Sequence, residues 1–174
     1  NMAQLAGAAA CVWVITRQRR RGIFEVFLCG RRLLALAPII LGLFVAAMVV
    51  CYGTLWLILT ILRRVAPTYQ AHGHDVVELI RGGGLPMWAI AVLWIGAVVV
   101  APLAEELFFR GVVQTWLMRA TGRRLLAVGV TAAFFGAVHL SWTPPQFHAV
   151  LPLGLLAVLL GLSYERTDAL AVPI

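Results

Sequence analysis

The residues with the most evident chemistry are Glu105 and Glu106, followed by Leu107, Phe108, Phe109 and Arg110, all inside an apolar stretch. Ionisable groups within apolar helices are costly and are kept where they face a cavity or a partner, so each is a candidate functional residue. On a helix Glu106 and Arg110 are one turn apart, with the acid N-terminal to the base, the better order for an ion pair. That pair neutralises itself. Glu105 is rotated from Glu106 by about 100° and stands five residues from Arg110, which leaves it as the carboxylate able to take a proton from water as a general base.

Hairpin register supplies a second group. If the helix bearing Glu105 turns at Ala120, Thr121, Gly122 and Arg123, residues equidistant from Gly122 lie level on two antiparallel helices. Glu105 and His139 are both 17 residues from Gly122, which places them at one height, about 25 Å from the turn. Phe134 and Phe135 are expected to seal the site from below. A carboxylate and an imidazole at one level of an apolar bundle make a water-activating pair. The bland alternative is a salt-bridge cap at a helix boundary, with His139 merely close to the helix end before Trp142.

The elements that must position these groups follow from composition. Of the 174 residues 62% are hydrophobic and 12% charged, with a mean hydropathy of +0.94. A soluble domain carries about twice that share of charge, so this is a membrane protein. All 14 basic residues are Arg, in short clusters between long apolar runs. A nucleic-acid partner is set aside because no solvated basic face is present.

Runs of about 20 apolar residues bounded by charge mark the spans. A short run covers 2–16 and ends at Arg17, Arg19, Arg20 and Arg21. A second covers 33–62, between Arg31, Arg32 and Arg63, Arg64, with Pro38 near its start. The polar connection holds His72, His74, Asp75, Glu78 and Gly82–Gly84. The pattern from 85 to 104 continues through Met118, with Pro102 forcing a kink or a fresh helix start just before Glu105. Spans at 125–142 and 148–164 follow, separated by Pro144 and Pro145, and a sixth begins near Ala169. The fold class is therefore an all-α polytopic transmembrane bundle of about five spans plus the start of a sixth. Residues 1–84 read as N-terminal helices and loop, and 85–174 as the core carrying the chemistry.

The six arginines between the first two spans place that loop in the cytoplasm of a multi-pass cell-membrane protein, although Arg63 and Arg64 oppose the count. No signal-peptide layout is present. Cys11, Cys29 and Cys51 lack metal or redox spacing and read as small hydrophobes. The six tryptophans read as interface-belt or packing residues. His72, His74, Asp75 and Glu78 crowd together as metal ligands would, but a solvated loop is the simpler reading. His148, nine residues after His139, reads as interfacial rather than catalytic.

The pattern E-E-x-x-x-R at Glu105, Glu106 and Arg110, followed by F-x-x-x-H at Phe135 and His139, resembles the CPBP group of intramembrane proteases. This is the Abi or CAAX protease family, which includes prenyl-protein endopeptidases. The resemblance covers roughly residues 85–174, including Gly154, Gly161, Tyr164, Arg166, Thr167, Pro173 and Ile174. It implies that Glu105 is the catalytic base, that His139 orients or activates the water, and that Glu106, Arg110 and Phe135 shape the site. The family's last motif, a histidine followed four residues later by asparagine or a similar polar residue, is expected just after Ile174 and would supply the oxyanion side.

The expected activity is hydrolysis of a peptide bond in a membrane-associated or prenylated protein or peptide, with membrane lipid as the surrounding partner. No cofactor is firmly implied. Zn²⁺ is possible with these residue types, but no H-E-x-x-H helix is present, so a glutamic mechanism is preferred. The rival from another class is a non-catalytic scaffold or bacteriocin-immunity-type binder using the same polar cluster for docking. A proton-relaying transporter would need a second acid within the spans, and none is visible in the runs so drawn.

Overall fold

A computed structural model describes residues 33–69, 79–141 and 147–173, with Ala10 and Trp13. Apart from Ala10 and Trp13, the first apolar run lies outside the described residues, as do its arginine cluster, Cys11, Cys29, the His72–Glu78 group, Trp142 and the Pro144–Pro145 turn. The described chain is helical, with no strand among the described residues. In lipid every backbone N–H and C=O must find a partner within its own segment, and a helix does so.

Helix α1 spans Leu33–Val65, α2 Met87–Thr121, α3 Arg124–Val138 and α4 Phe147–Thr167. Three of these, α1, α2 and α4, are long and apolar enough to cross a membrane. Helix α3 has 15 residues, about 22 Å of rise, and continues as a 3-10 turn over His139–Ser141.

The boundaries follow from local chemistry. Gly122 ends α2 in the left-handed region at φ 66°, and its N–H donates to the Met118 carbonyl at 2.9 Å. Glycine takes this cap without a Cβ penalty. Arg123 is extended and α3 starts directly after it, so the hairpin loop is two residues long. Asp168 ends α4 the same way at φ 52°, its N–H bonded to the Tyr164 carbonyl at 2.7 Å.

Helix α2 is not uniformly α-helical. Its Gly96–Val100 and Leu107–Gln114 stretches are π-helical. Pro102 explains the first: it lacks an N–H and its ring crowds the carbonyl four residues back. The adjoining Ala101 N–H reaches the Gly96 carbonyl instead, five residues back. In the second stretch the Thr115 hydroxyl donates to the Arg110 carbonyl at 2.9 Å.

Helix α4 is the hub, packed against α1 on one side and α3 on the other, while the second half of α2 lies across α3 and α4. Close approach of α3 and α4 depends on Gly136, where a Cβ would come within 3.1 Å of the Val150 carbonyl oxygen. Phe109, Ala132, Phe135 and Ala157 form the core between α2, α3 and α4. Cys51 sits on α1 beside α4, its thiol 3.9 Å from the Pro152 carbonyl.

The sixth span expected from Ala169 is not seen in the described chain. Residues 170–173 are turns, and Ala169 and Val172 fold back on Leu36, Ile40 and Leu43 of α1. The left-handed Asp168 redirects the chain, and two apolar residues bury against α1.

Candidate active site

A cleft of about 320 Å³ opens between α1, α2, α3 and α4. Glu105, Glu106, Phe135 and His139 line one part of it, and Ile40, Leu43, Phe44, Ala47, Leu156 and Leu160 line the apolar remainder. Four of the five residues singled out in the sequence thus face one cavity. The fifth, Arg110, lies fully buried behind it.

The two neighbouring carboxylates have different partners. Glu106 Oε1 is 2.8 Å from Arg110 Nη1, and both side chains are out of solvent. Arg110 Nη2 donates to the Ala157 carbonyl at 3.2 Å, and its guanidinium carbon lies 5.2 Å from the Phe135 ring centroid. An ion pair, one hydrogen bond and a ring face therefore hold this buried cation. Glu105 makes no hydrogen bond or ion pair with the described residues and opens onto the cleft. His139 shares the cleft with it.

His139 stands where α3 passes into the 3-10 turn. Its Nδ1 is 2.7 Å from the Phe135 carbonyl, and a carbonyl can only accept, so Nδ1 carries the proton. In the neutral ring the lone pair is then on Nε2. The Phe135 ring lies 4.7 Å from the imidazole, tilted by 48°. One residue thus sets the imidazole by backbone and side chain together.

Phe134, expected to seal the site beside Phe135, does not line the cleft. It is 45% exposed and packs edge-on against Phe109 at 5.6 Å, because adjacent residues on a helix point about 100° apart. His148 is buried at the start of α4, its Nδ1 2.9 Å from the Tyr69 hydroxyl, and it is not among the cleft residues.

Sequence reasoning missed a second set of polar residues. Gln114, fully buried, donates through Nε2 to the Gly161 carbonyl at 3.0 Å and to Glu165 Oε1 at 2.8 Å. Glu165 belongs to α4, which is long enough to span, so an acid does lie within a span, contrary to expectation. Drawing that span only to 164 left it out. The signal that could have found this set was Gln114 itself, four residues beyond Arg110 on the face already bearing Glu106. Among the described residues, no group of three His, Cys, Asp or Glu side chains converges to hold a metal ion.

No curated protein and no solved structure matches the chain. Residues 87–174 match the family described as type II CAAX prenyl endopeptidase, Rce1-like. That family implies prenyl endopeptidase activity in general, with a protein or peptide substrate met in a membrane environment. The match covers the two carboxylates, the buried arginine, the histidine and the hub helix, and half of the whole: the chain belongs to the Rce1-like type II CAAX prenyl endopeptidase family.

Proposed function

We propose that the chain is the core of a multi-pass intramembrane endopeptidase of the cell membrane, in which Glu105 and His139 activate a water molecule without a metal. Residues 85–174 carry the chemistry, and the preceding segment contributes α1 as a wall of the cleft. The Glu105 carboxylate takes a proton from water as the hydroxyl oxygen bonds to the scissile carbonyl carbon, whose π electrons move to its oxygen. The proton then passes to the amide nitrogen as the C–N bond breaks, leaving a carboxylic acid and an amine. His139 holds the water through Nε2. Glu106, Arg110 and Phe135 set the carboxylates and the imidazole in place.

The observation that carries this reading is the division of labour between adjacent carboxylates: Glu106 is committed to Arg110, whereas Glu105 shares the cleft with His139. Base and imidazole are also the types that hydrolysis needs within reach of one water. The apolar part of the cleft suits a lipid-modified substrate.

The test uses the full chain in vesicles with a fluorogenic prenylated peptide ending in a CAAX sequence. Glu105→Gln and His139→Ala are each expected to lower cleavage by roughly 10²–10⁴-fold while the protein still accumulates in the membrane. Retention of full cleavage by either variant sinks the assignment. A docking scaffold would tolerate Glu105→Gln, which preserves shape, so this substitution also separates the two classes.

A further inference from the structure

Glu106, Arg110 and Gln114 succeed one another at intervals of four along α2, and Ala157, Gly161 and Glu165 do the same along α4. The two rows meet in step. Arg110 reaches the Ala157 carbonyl and Gln114 the Gly161 carbonyl, each 47 residues further along the chain, so the two helices run parallel with a fixed offset. In a regular α-helix such a row drifts by about 40° per step. The π stretch over Leu107–Gln114 winds more widely and counters the drift, which keeps the three side chains on one face.

The last rung is the most constrained. Nε2 of Gln114 faces two acceptors, so the orientation of its amide is set by chemistry: turning it over would set an oxygen against two oxygens. Gly161 leaves room for this crossing: a Cβ there would lie 2.8 Å from Gln114 Oε1 and 3.2 Å from Val128 Cγ1, so Gln114 would have to shift. Beside it Thr115 Oγ1, which holds the Arg110 carbonyl, lies 3.4 Å from the Tyr164 hydroxyl. Gln114 is nine residues from Glu105, about 13 Å along the axis, and does not line the cleft.

We infer that Gln114, held by Glu165 and admitted by Gly161, is a positioning residue that fixes the rotation and height of α2 on α4 and thereby the aim of Glu105 at His139. This inference rests on the catalytic reading of Glu105. Arg110 and Phe109 fix α2 at one level of the bundle, which leaves rotation about that level open. A second anchor one turn further along removes that freedom, and misplacement of a catalytic group by about 1 Å is worth up to 10²-fold in rate.

The experiment measures kcat and KM for the full chain in vesicles with the same fluorogenic peptide. Gln114→Leu, of similar size but unable to donate, is expected to lower kcat by roughly tenfold to a hundredfold with KM nearly unchanged. Glu165→Gln is expected to keep wild-type kcat, because its amide oxygen accepts the same bond, whereas Glu165→Leu loses part of it. The Gln114→Leu, Glu165→Leu double variant should be no worse than Gln114→Leu alone. Spin labels at the exposed positions Trp116 and Leu155 report the setting of the two helices without relying on catalysis, and their distance distribution should shift or broaden in Gln114→Leu. Wild-type kcat in Gln114→Leu, an effect confined to KM, an unmoved label distance, or Glu165→Gln as poor as Glu165→Leu would overturn the inference. If Glu105→Gln cleaves normally while the labels move in Gln114→Leu, the catalytic reading fails and the helix setting stands.

Discussion

The two halves of α2 solve the same problem in opposite ways. From Met87 to Val100 no residue is buried by the described protein, and Trp88, Val92, Trp94, Ile95, Val98 and Val99 all face outward. From Glu106 to Thr115 the helix buries Glu106, Arg110, Gln114 and Thr115 against α3 and α4. Lipid is as good a solvent for leucine as a protein core is, so the first half needs no partner. A guanidinium or a carboxamide has no such option and must be enclosed by groups that satisfy it. Along α2, polarity decides which half of the helix is enclosed by protein.

The largest expected effect comes from breaking the polar seam. Arg110→Leu strands Glu106 in a buried site and should cost about 3–5 kcal/mol, seen as loss of folded protein on extraction into mild detergent. Normal recovery would mean that the seam does not hold α2. Next is the tight crossing of α3 and α4. Gly136→Ala places a methyl 3.1 Å from the Val150 backbone oxygen, and overpacking of this kind costs about 1–3 kcal/mol, measured as a lower thermal midpoint. The smallest effect belongs to the outward half, where a methyl group added at Gly96 would have nothing within 4 Å. Gly96→Ala should raise stability by up to about 1 kcal/mol through helix propensity. A loss there would sharpen the comparison by revealing a protein partner on that face.

Much of this arrangement was legible in the sequence, and for definite reasons. The apolar runs marked the helices because a span in lipid has few alternatives, and Gly122 marked the hairpin because a left-handed cap favours that residue. Equal spacing about Gly122 then brought Glu105 and His139 to one level, and both line the same cleft. Other features depend on facts that one-dimensional periodicity does not carry. Phe134 was set beside Phe135, but their faces differ. After the reversal at Asp168, Ala169 and Val172 pack onto α1, a contact that hydropathy does not carry. Gln114 and Glu165 gain their meaning only when two distant helices are in register, and the π turns that align them leave no mark in hydropathy beyond Pro102.

The shortness of α3 has a consequence for what can be cut. Arg119, Arg123 and Arg124 mark one water boundary at the hairpin turn, and α3 ends after 15 residues, about 22 Å away, at His139. A hydrocarbon core is about 30 Å thick, so a helix of this length that starts at one boundary stops short of the other. On the proposed reading the helix length is a depth gauge. A peptide bond tethered just beneath the headgroups by a lipid anchor comes level with Glu105 and His139, while a bond at the middle of a spanning helix passes below them. On that reading the membrane would itself contribute to specificity, sorting scissile bonds by altitude before any side chain is read.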